Sequence, residues 1–364
     1  MTRWASASAA EPAVRLELLA EAPAVRVTVA GPCSLIALPE HQTLKRLPGL
    51  RWHEVRPHPD GLQVGPWTLP AQRLQIAAEE RPELLLNGVR YRGRLTFVRL
   101  DDHRLQVVHE LPLEAYLVGV VSAEMDARWP LETLKAQAIV ARTMTWRQIA
   151  DRAGHAFDVT TSWPQRYEAR PAHWGRARQA VEATLGLVVT AQGALVPTYY
   201  HTVCGGHTAE ARQVWPTPSP ASWRGVPFRF CRRAPHARWR LALTDEQLGD
   251  ALQRQGIVVG SVSALTLGPR DPSGRVASVT VAGAQGTMAI STTSLRQALG
   301  PNRLRSTNVT VRRQGASWVF DGAGWGHGVG LCQWGAAGLG QRRQTAEQIV
   351  AWYYPGTEVV SYTP

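Results

Sequence analysis

The sequence predicts an α+β protein: a β-rich front section followed by a mixed helix and sheet core. Three observations lead there. In the front 95 residues, runs such as Val14-Arg15-Leu16-Glu17-Leu18 and Val25-Arg26-Val27-Thr28-Val29 alternate apolar and polar at the period of a half-buried strand. From Pro112 onward the apolar spacing changes to three and four, the period of a helix with one packed face. Beyond residue 185 short strand-like runs and capped helical segments alternate again.

Taken in order, Pro and Gly clusters at 31–32, 48–49 and 57–61 punctuate the front strands. Asn87-Gly88, between Leu84-Leu85-Leu86 and Val89-Arg90-Tyr91-Arg92, is the dipeptide that favours a two-residue hairpin turn. A strand over 95–100 leads through Asp101-Asp102 to another over 105–109. Pro112 stands where a first helical turn begins, with Leu113, Leu117, Val120 and Val121 on one face. Asp126 and Pro130 interrupt that helix. Pro130 opens a second, whose face is Leu131, Leu134, Ala138, Ala141 and Thr145, running toward Gly154. A third helix over 173–185 ends at Gly186, suited to a left-handed cap. A hairpin follows, 187–190 and 195–203 about Gln192-Gly193. Residues 216–236, rich in Pro, Arg and Ser, read as loop. Thr244 with Gln247, and Thr345 with Gln348, form capping boxes for helices at 245–255 and near the C-terminus. Strands are expected at 264–267, 276–281, 288–290 and 318–320, the last leading into a glycine-rich loop before the final helix.

The chain of 364 residues is long enough for two or three domains, at roughly 100–200 residues each. Its 44% hydrophobic and 19% charged residues describe a globular protein. The net charge of +12 points to an anionic partner or surface, or to a compositional bias. Of 40 basic residues only Lys45 and Lys135 are lysines, and neither follows a glycine, which excludes a Walker-type phosphate loop. No apolar run approaches the ~20 residues of a membrane span. No export signal is visible, although Ala5–Ala10 followed by Glu11-Pro12 is like the stretch that follows a cleaved one.

The most informative segment is Leu111–Thr143. Glu124 closes an apolar helix just where the chain breaks. Beside Val120, Val121 and Met125 its carboxyl would be partly desolvated, which favours the neutral, proton-donating form. An ordinary carboxylate at a helix end fits the spacing as well. Lys135 and Arg142, seven apart on one face with Gln137 nearby, suit either an anionic substrate or a solvated face. Gly-x-Gly-His-Gly-x-Gly around His327 fails the dinucleotide spacing, since His327 or Leu331 stands where the third glycine belongs. Its bland reading is a tight loop whose histidine caps a backbone group.

Four ordered stretches together resemble the SpoIID/LytB family. They are the Ala123-Glu124-Met125 segment; Tyr199-Tyr200-His201-Thr202-Val203-Cys204-Gly205-Gly206-His207-Thr208 with Val214-Trp215; Arg275-Val276, Leu295–Gly300 and Ser306-Thr307; and Gly324–Ala336 with Tyr353-Tyr354-Pro355-Gly356. The resemblance covers roughly 85–364. It divides the chain into a β-rich section at 1–84 of unknown role, a catalytic region at 85–215 and the remainder of that core at 216–364, with a glycan groove between helix ends and Gly-rich loops.

The resemblance implies a lytic transglycosylase that cleaves peptidoglycan glycan strands stripped of stem peptides, with Glu124 as general acid and then base. It implies a location outside the cytoplasm, in periplasm or cell wall, where a basic surface suits an anionic polymer. No cofactor is required by that chemistry. Lys135, Gln137, Arg142, Tyr200, His201, Trp325, His327 and Gln333 are the substrate-binding candidates, with Trp334 as a further groove residue. Asp126 replaces the proline common after Glu-Met in the family. With Glu132, Asp126 also keeps an ordinary two-carboxylate hydrolase in view. Some family members are amidase modifiers, so a non-catalytic peptidoglycan-binding activator of a cell-wall amidase is the rival. A nucleic-acid partner has no motif to support it. For the cysteines, an exported enzyme favours a Cys204–Cys231 disulfide. A zinc site of His201, Cys204, His207 and Cys231 is the weaker alternative, and free thiols are the third. Cys332 reads as a packed thiol.

Overall fold

The computed structural model describes residues 12–79, 83–169, 174–215, 223–228, 230–231 and 234–362. The Ala5–Ala10 stretch and parts of the 216–236 loop lie outside the described residues. The chain forms two compact units, one of Met1–Ala127 with Ala141–Leu185, the other of Arg128–Val140 with Gly186–Pro364. Strands and helices both contribute throughout, as an α+β chain requires.

In the first unit two sheets enclose one core. The larger has seven strands in the order Val159–Thr160, Ala13–Ala22, Leu105–Pro112, Arg94–Arg99, Arg73–Ala78, Cys33–Ala37 and Gln42–Leu47. The other has six, in the order Val89–Arg92, Glu83–Leu86, Val25–Val29, Leu50–His58, Gly61–Val64 and Trp67–Leu69. Alternation does its expected work in Val25–Val29, where Val25, Val27 and Val29 are buried while Arg26 is exposed. Both sheets feed one cluster that includes Val27, Leu35, Leu74, Leu84, Leu95 and Phe97. Asn87 and Gly88 turn the hairpin with φ 48° and 82°, the left-handed values a two-residue turn demands. The front section does not end at residue 84. Glu83–Leu86 pairs with Val27–Val29, and Arg94–Pro112 completes the larger sheet, so hydrogen bonding carries the section to Pro112.

The Leu113–Glu124 helix of this unit packs on the Trp174–Glu182 helix. The Leu131–Asp151 helix runs through residues assigned to each unit. No helix among the described residues is long and apolar enough to cross a membrane.

The second unit has two cores. One gathers Ala136, Ile139, Val203, Leu331, Ile349 and Tyr353 under the helices Gln333–Gly340 and Ala346–Tyr353. The other gathers Leu243, Leu248, Val279, Leu295 and Phe320. It lies among the sheet Arg238–Thr244, Ser317–Ala323, Val309–Gln314, the sheet Val262–Leu267, Ser278–Gly283, Gly286–Ser291, and the helices Asp245–Gln253 and Thr292–Leu299. Both capping boxes form. Thr244 and Thr345 accept from the N–H three residues on, and Gln247 and Gln348 accept in return.

Candidate active site

The Leu113–Glu124 helix buries Leu113, Tyr116, Leu117, Val120 and Val121 and stops at Glu124. Met125 leaves it in extended conformation (φ −121°, ψ 143°), while its N–H still donates to the Val121 carbonyl at 3.0 Å. Glu124 therefore occupies the last helical position and is half-buried. Its Oε1 accepts the Arg166 backbone N–H at 2.9 Å, and the Arg166 guanidinium donates to the Ala123 carbonyl.

The loop that brings Arg166 is itself anchored. Buried Gln165 donates to Thr145 Oγ1 at 2.8 Å. The Tyr167 ring stacks on Tyr116 at 5.5 Å and 11°. Gly119 leaves the space that the Tyr167 ring fills; a Cβ there would overlap it. Burial pushes both phenols up, so neither ionises near neutral pH.

Several other carboxylates of the chain are held by cations. Glu114 forms a two-pronged ion pair with Arg142, at 2.8 and 2.7 Å. Asp158 pairs with Arg15 at 2.5 Å. In the second unit Glu132 bonds Lys135 Nζ at 2.7 Å and accepts the Ala346 N–H at 2.8 Å, at the start of the Ala346–Tyr353 helix. Burial alone would raise the Glu132 carboxyl, but Lys135 and the Ala346 N–H together hold it below its usual value. Glu132 is thus ionised and structural. Lys135 remains partly exposed with that carboxylate as its partner.

Arg142 is corrected as a substrate ligand. It is fully buried, and besides Glu114 it donates to the Val181 carbonyl at 3.2 Å. Its charge belongs to the core of the first unit.

The other candidates lie in the second unit, where motifs far apart in sequence interlock. Tyr200 and His201 pair with Leu331 and Cys332 as parallel strands. Val203 and Trp325 exchange backbone hydrogen bonds of 3.0 and 2.8 Å. Ala209 N–H donates to Gly328 O at 2.8 Å, and Trp334 N–H to Thr202 O at 3.2 Å. The fully buried Arg275 guanidinium pins the same junction, donating to Cys204 O at 3.0 Å and His207 O at 3.2 Å. It lies flat against Gly328, where a Cβ would overlap it. Gly328 also has φ 91°. Gly328→Ala therefore combines left-handed strain with a clash against a pinned guanidinium. It should cost about 2 kcal/mol or more, read as a lower denaturant midpoint of the second unit.

His327 Nδ1 accepts the Val329 N–H at 3.0 Å, and its other nitrogen faces the Tyr200 carbonyl. Burial first, and Arg275 second, push it down to about 3, so the ring is neutral. It is the backbone cap that the bland reading of the loop describes. His201 stacks edge-on at 5.6 Å, its Nδ1 on the Val329 carbonyl, and burial also pushes it well down. Tyr199 and Trp215 complete this aromatic nest around His327, at 6.2 and 5.1 Å.

Trp325, half-buried, carries the Arg305 guanidinium over its ring at 5.1 Å, and His236 meets its edge at 5.0 Å. Trp334 meets Trp129 edge-on at 5.0 Å. Of the substrate-binding candidates, Lys135, Tyr200, Trp325 and His327 keep exposed surface, whereas Gln137, His201 and Gln333 are buried.

The proposed His201–Cys204–His207–Cys231 zinc set is corrected too. Cys204 and Cys231 do approach, with sulfurs 3.1 Å apart, but the side chain that joins them is Cys332. His201 turns Nδ1 to Val329 O, and His207 turns Nδ1 to Thr208 O at 2.7 Å. The four cysteines are free thiols in this structure. Sequence reasoning also missed Arg166, Tyr116 and Tyr167, and the pinning role of Arg275. The Asp158–Tyr167 run carries no charge pattern or motif that points back to Glu124.

Residues 101–190 match the family described as stage II sporulation protein, and residues 232–330 match a domain of unknown function. The chain is 32% identical to an uncharacterized protein of Brachyspira hyodysenteriae, over 79% of this chain and 77% of that one. It is 27% identical to the stage II sporulation protein D of Bacillus subtilis, over 70% of this chain and 76% of that one. It is also 27% identical to the amidase enhancer of Bacillus subtilis, over 68% of this chain but only 40% of the enhancer's length.

Proposed function

The chain belongs to the SpoIID/LytB family, and from that premise we propose that it is a peptidoglycan lytic transglycosylase acting outside the cytoplasm with Glu124 as its acid and base. The observation that carries the reading is the setting of Glu124. It ends a packed helix, half-buried, with one carboxyl oxygen held by the Arg166 N–H.

The mechanism uses one carboxyl group twice. Neutral Glu124 gives its proton to the glycosidic oxygen that follows N-acetylmuramic acid. The bond from that oxygen to the anomeric carbon breaks, and positive charge spreads over the anomeric carbon and the ring oxygen. The Glu124 carboxylate then takes the proton of the sugar's own 6-hydroxyl, whose oxygen bonds the anomeric carbon. The products are a 1,6-anhydro end and a strand with a new hydroxyl. Glu124 ends as it began, and no water is consumed. This departs from the two-carboxylate hydrolase. Strands without stem peptides are the proposed substrate.

Mass analysis of products from such denuded strands tests the reading. Anhydro ends are expected. Reducing ends would replace the transglycosylase by a hydrolase. Intact strands, with binding retained, would leave the second reading, in which the protein binds peptidoglycan and stimulates a cell-wall amidase. The likeness to the amidase enhancer favours that alternative.

A further inference from the structure

We propose that Cys204, Cys231 and Cys332 hold one thiophilic divalent cation, zinc, through three thiolates. The three ligand sulfurs all lie within 4.8 Å of one another and all three residues are buried. Topology alone assembles them. Cys204 follows the Tyr200–His201 strand, Cys332 belongs to its parallel partner, and Cys231 comes from the segment after Phe228.

Four features distinguish this cluster from packed thiols. The first is the number of sulfurs: a Cys204–Cys231 disulfide would use two and leave the third without a purpose. The second is the shell of N–H donors. Cys332 Sγ accepts from the Cys204 N–H at 3.2 Å and the Gly335 N–H at 3.3 Å, and Cys204 Sγ accepts from Gly206 at 3.4 Å. Donors of this kind stabilise thiolates and are the usual outer shell of a metal site.

The third feature is Arg275. Its guanidinium is buried, with no carboxylate at ion-pair distance among the described residues, and its Nε has no partner. Asp271 attracts it only at longer range, its Oδ1 accepting instead from the Arg275 backbone N–H at 2.8 Å and the Ser273 hydroxyl at 2.7 Å. The charge field of Arg275 reaches all three sulfurs. A buried cation without an anion is costly. Three thiolates around a divalent ion carry one net negative charge, which Arg275 neutralises. Neutral thiols, or a disulfide with a thiol, leave it unmatched. The fourth is Tyr353, which shares the buried core cluster of the three cysteines and whose hydroxyl has no hydrogen-bond partner.

Soft sulfur donors select zinc over magnesium or calcium, which require oxygen. Each thiol releases its proton to solvent as the ion binds. The ion would staple together the two signature motifs and the segment at Cys231. The inference is independent of the transglycosylase reading, because it concerns none of the residues that act there.

The test uses the intact chain purified without chelator. Its metal content is measured by elemental analysis, its cysteine state by mass, and Co²⁺ serves as an optical probe. About one zinc per chain is expected, with all four cysteines reduced and sulfur-to-cobalt charge-transfer absorption after exchange. Cys332→Ser should lose that absorption. Cys33→Ser should keep it, since that thiol lies in the core of the first unit, outside the cluster. A mass two hydrogens short with no metal would establish the disulfide and overturn the proposal. Four reduced thiols that take up neither Zn²⁺ nor Co²⁺ would overturn it equally. The wild-type measurement stands even if a serine variant fails to fold.

Discussion

Glu124→Gln is expected to slow cleavage of denuded glycan strands about 100- to 10,000-fold, the range over which a positioned general acid acts. The substitution is chosen for what it keeps. Gln retains a carbonyl oxygen where Oε1 stands, so the Arg166 N–H keeps its acceptor and the 158–167 loop keeps its anchor on the helix end. Only the transferable proton is lost. Thermal stability and strand binding should stay close to wild type while turnover collapses. Both proton transfers pass through this one group, so formation of anhydro ends should slow together with strand cleavage. If turnover were retained within a few-fold, another group would be the acid. If wild type and variant were equally inactive yet equally able to stimulate an amidase, the binding-protein reading would replace the enzyme.

Local signals in this chain were readable wherever the backbone itself demanded a residue type. Asn87-Gly88 is such a place, because both positions need left-handed φ. So are Thr244 and Thr345, whose hydroxyls take up an otherwise unpaired helix N–H. Signals failed where packing overrode propensity. The Gln333–Gly340 helix holds Gly335, Gly338 and Gly340 and reads as loop. Its glycines are there for close approach: a Cβ on Gly335 would overlap the Tyr353 hydroxyl, and one on Gly340 would overlap Thr133 Oγ1. Nothing in a single sequence reveals that contact.

The candidate site divides along the same line. Glu124 stood out at the end of an apolar helix, where the spacing suits an ordinary carboxylate as well, and its proposed role came from the family resemblance. Arg166 was invisible because it acts through its backbone N–H, which any residue but proline supplies. Cys332 was set apart from Cys204 and Cys231 because sequence distance hides the parallel pairing of His201 with Cys332. The histidines misled for a different reason. In the folded protein the Nδ1 atoms of His201, His207 and His327 engage backbone groups, a use that leaves no spacing signature.

Arg142 is where the two lines of reasoning part most sharply, and Arg142→Met decides between them. As an anion ligand, its loss would weaken binding and leave stability unchanged. In the structure the guanidinium meets Glu114 through two parallel hydrogen bonds, with side chains 0% and 9% exposed. Removing the cation would strand a buried carboxylate and leave the Thr184 hydroxyl and the Val181 carbonyl without this donor. The expected cost is about 3–5 kcal/mol, read as a fall in the denaturant midpoint of the first unit. Removing both charges should be far milder. Glu114→Leu with Arg142→Met replaces the pair by apolar groups of similar volume, and such exchanges are often neutral or stabilising. The double variant should therefore recover most of what either single change loses. If the single changes instead cost under about 1 kcal/mol and simply add, the pair would not be the buried, mutually dependent unit seen here. The position of Arg142, seven residues from Lys135 in sequence but without solvent contact, makes that result hard to reach. A fully buried guanidinium has no route to a polymeric substrate, and Glu114 already occupies the two donors it would use.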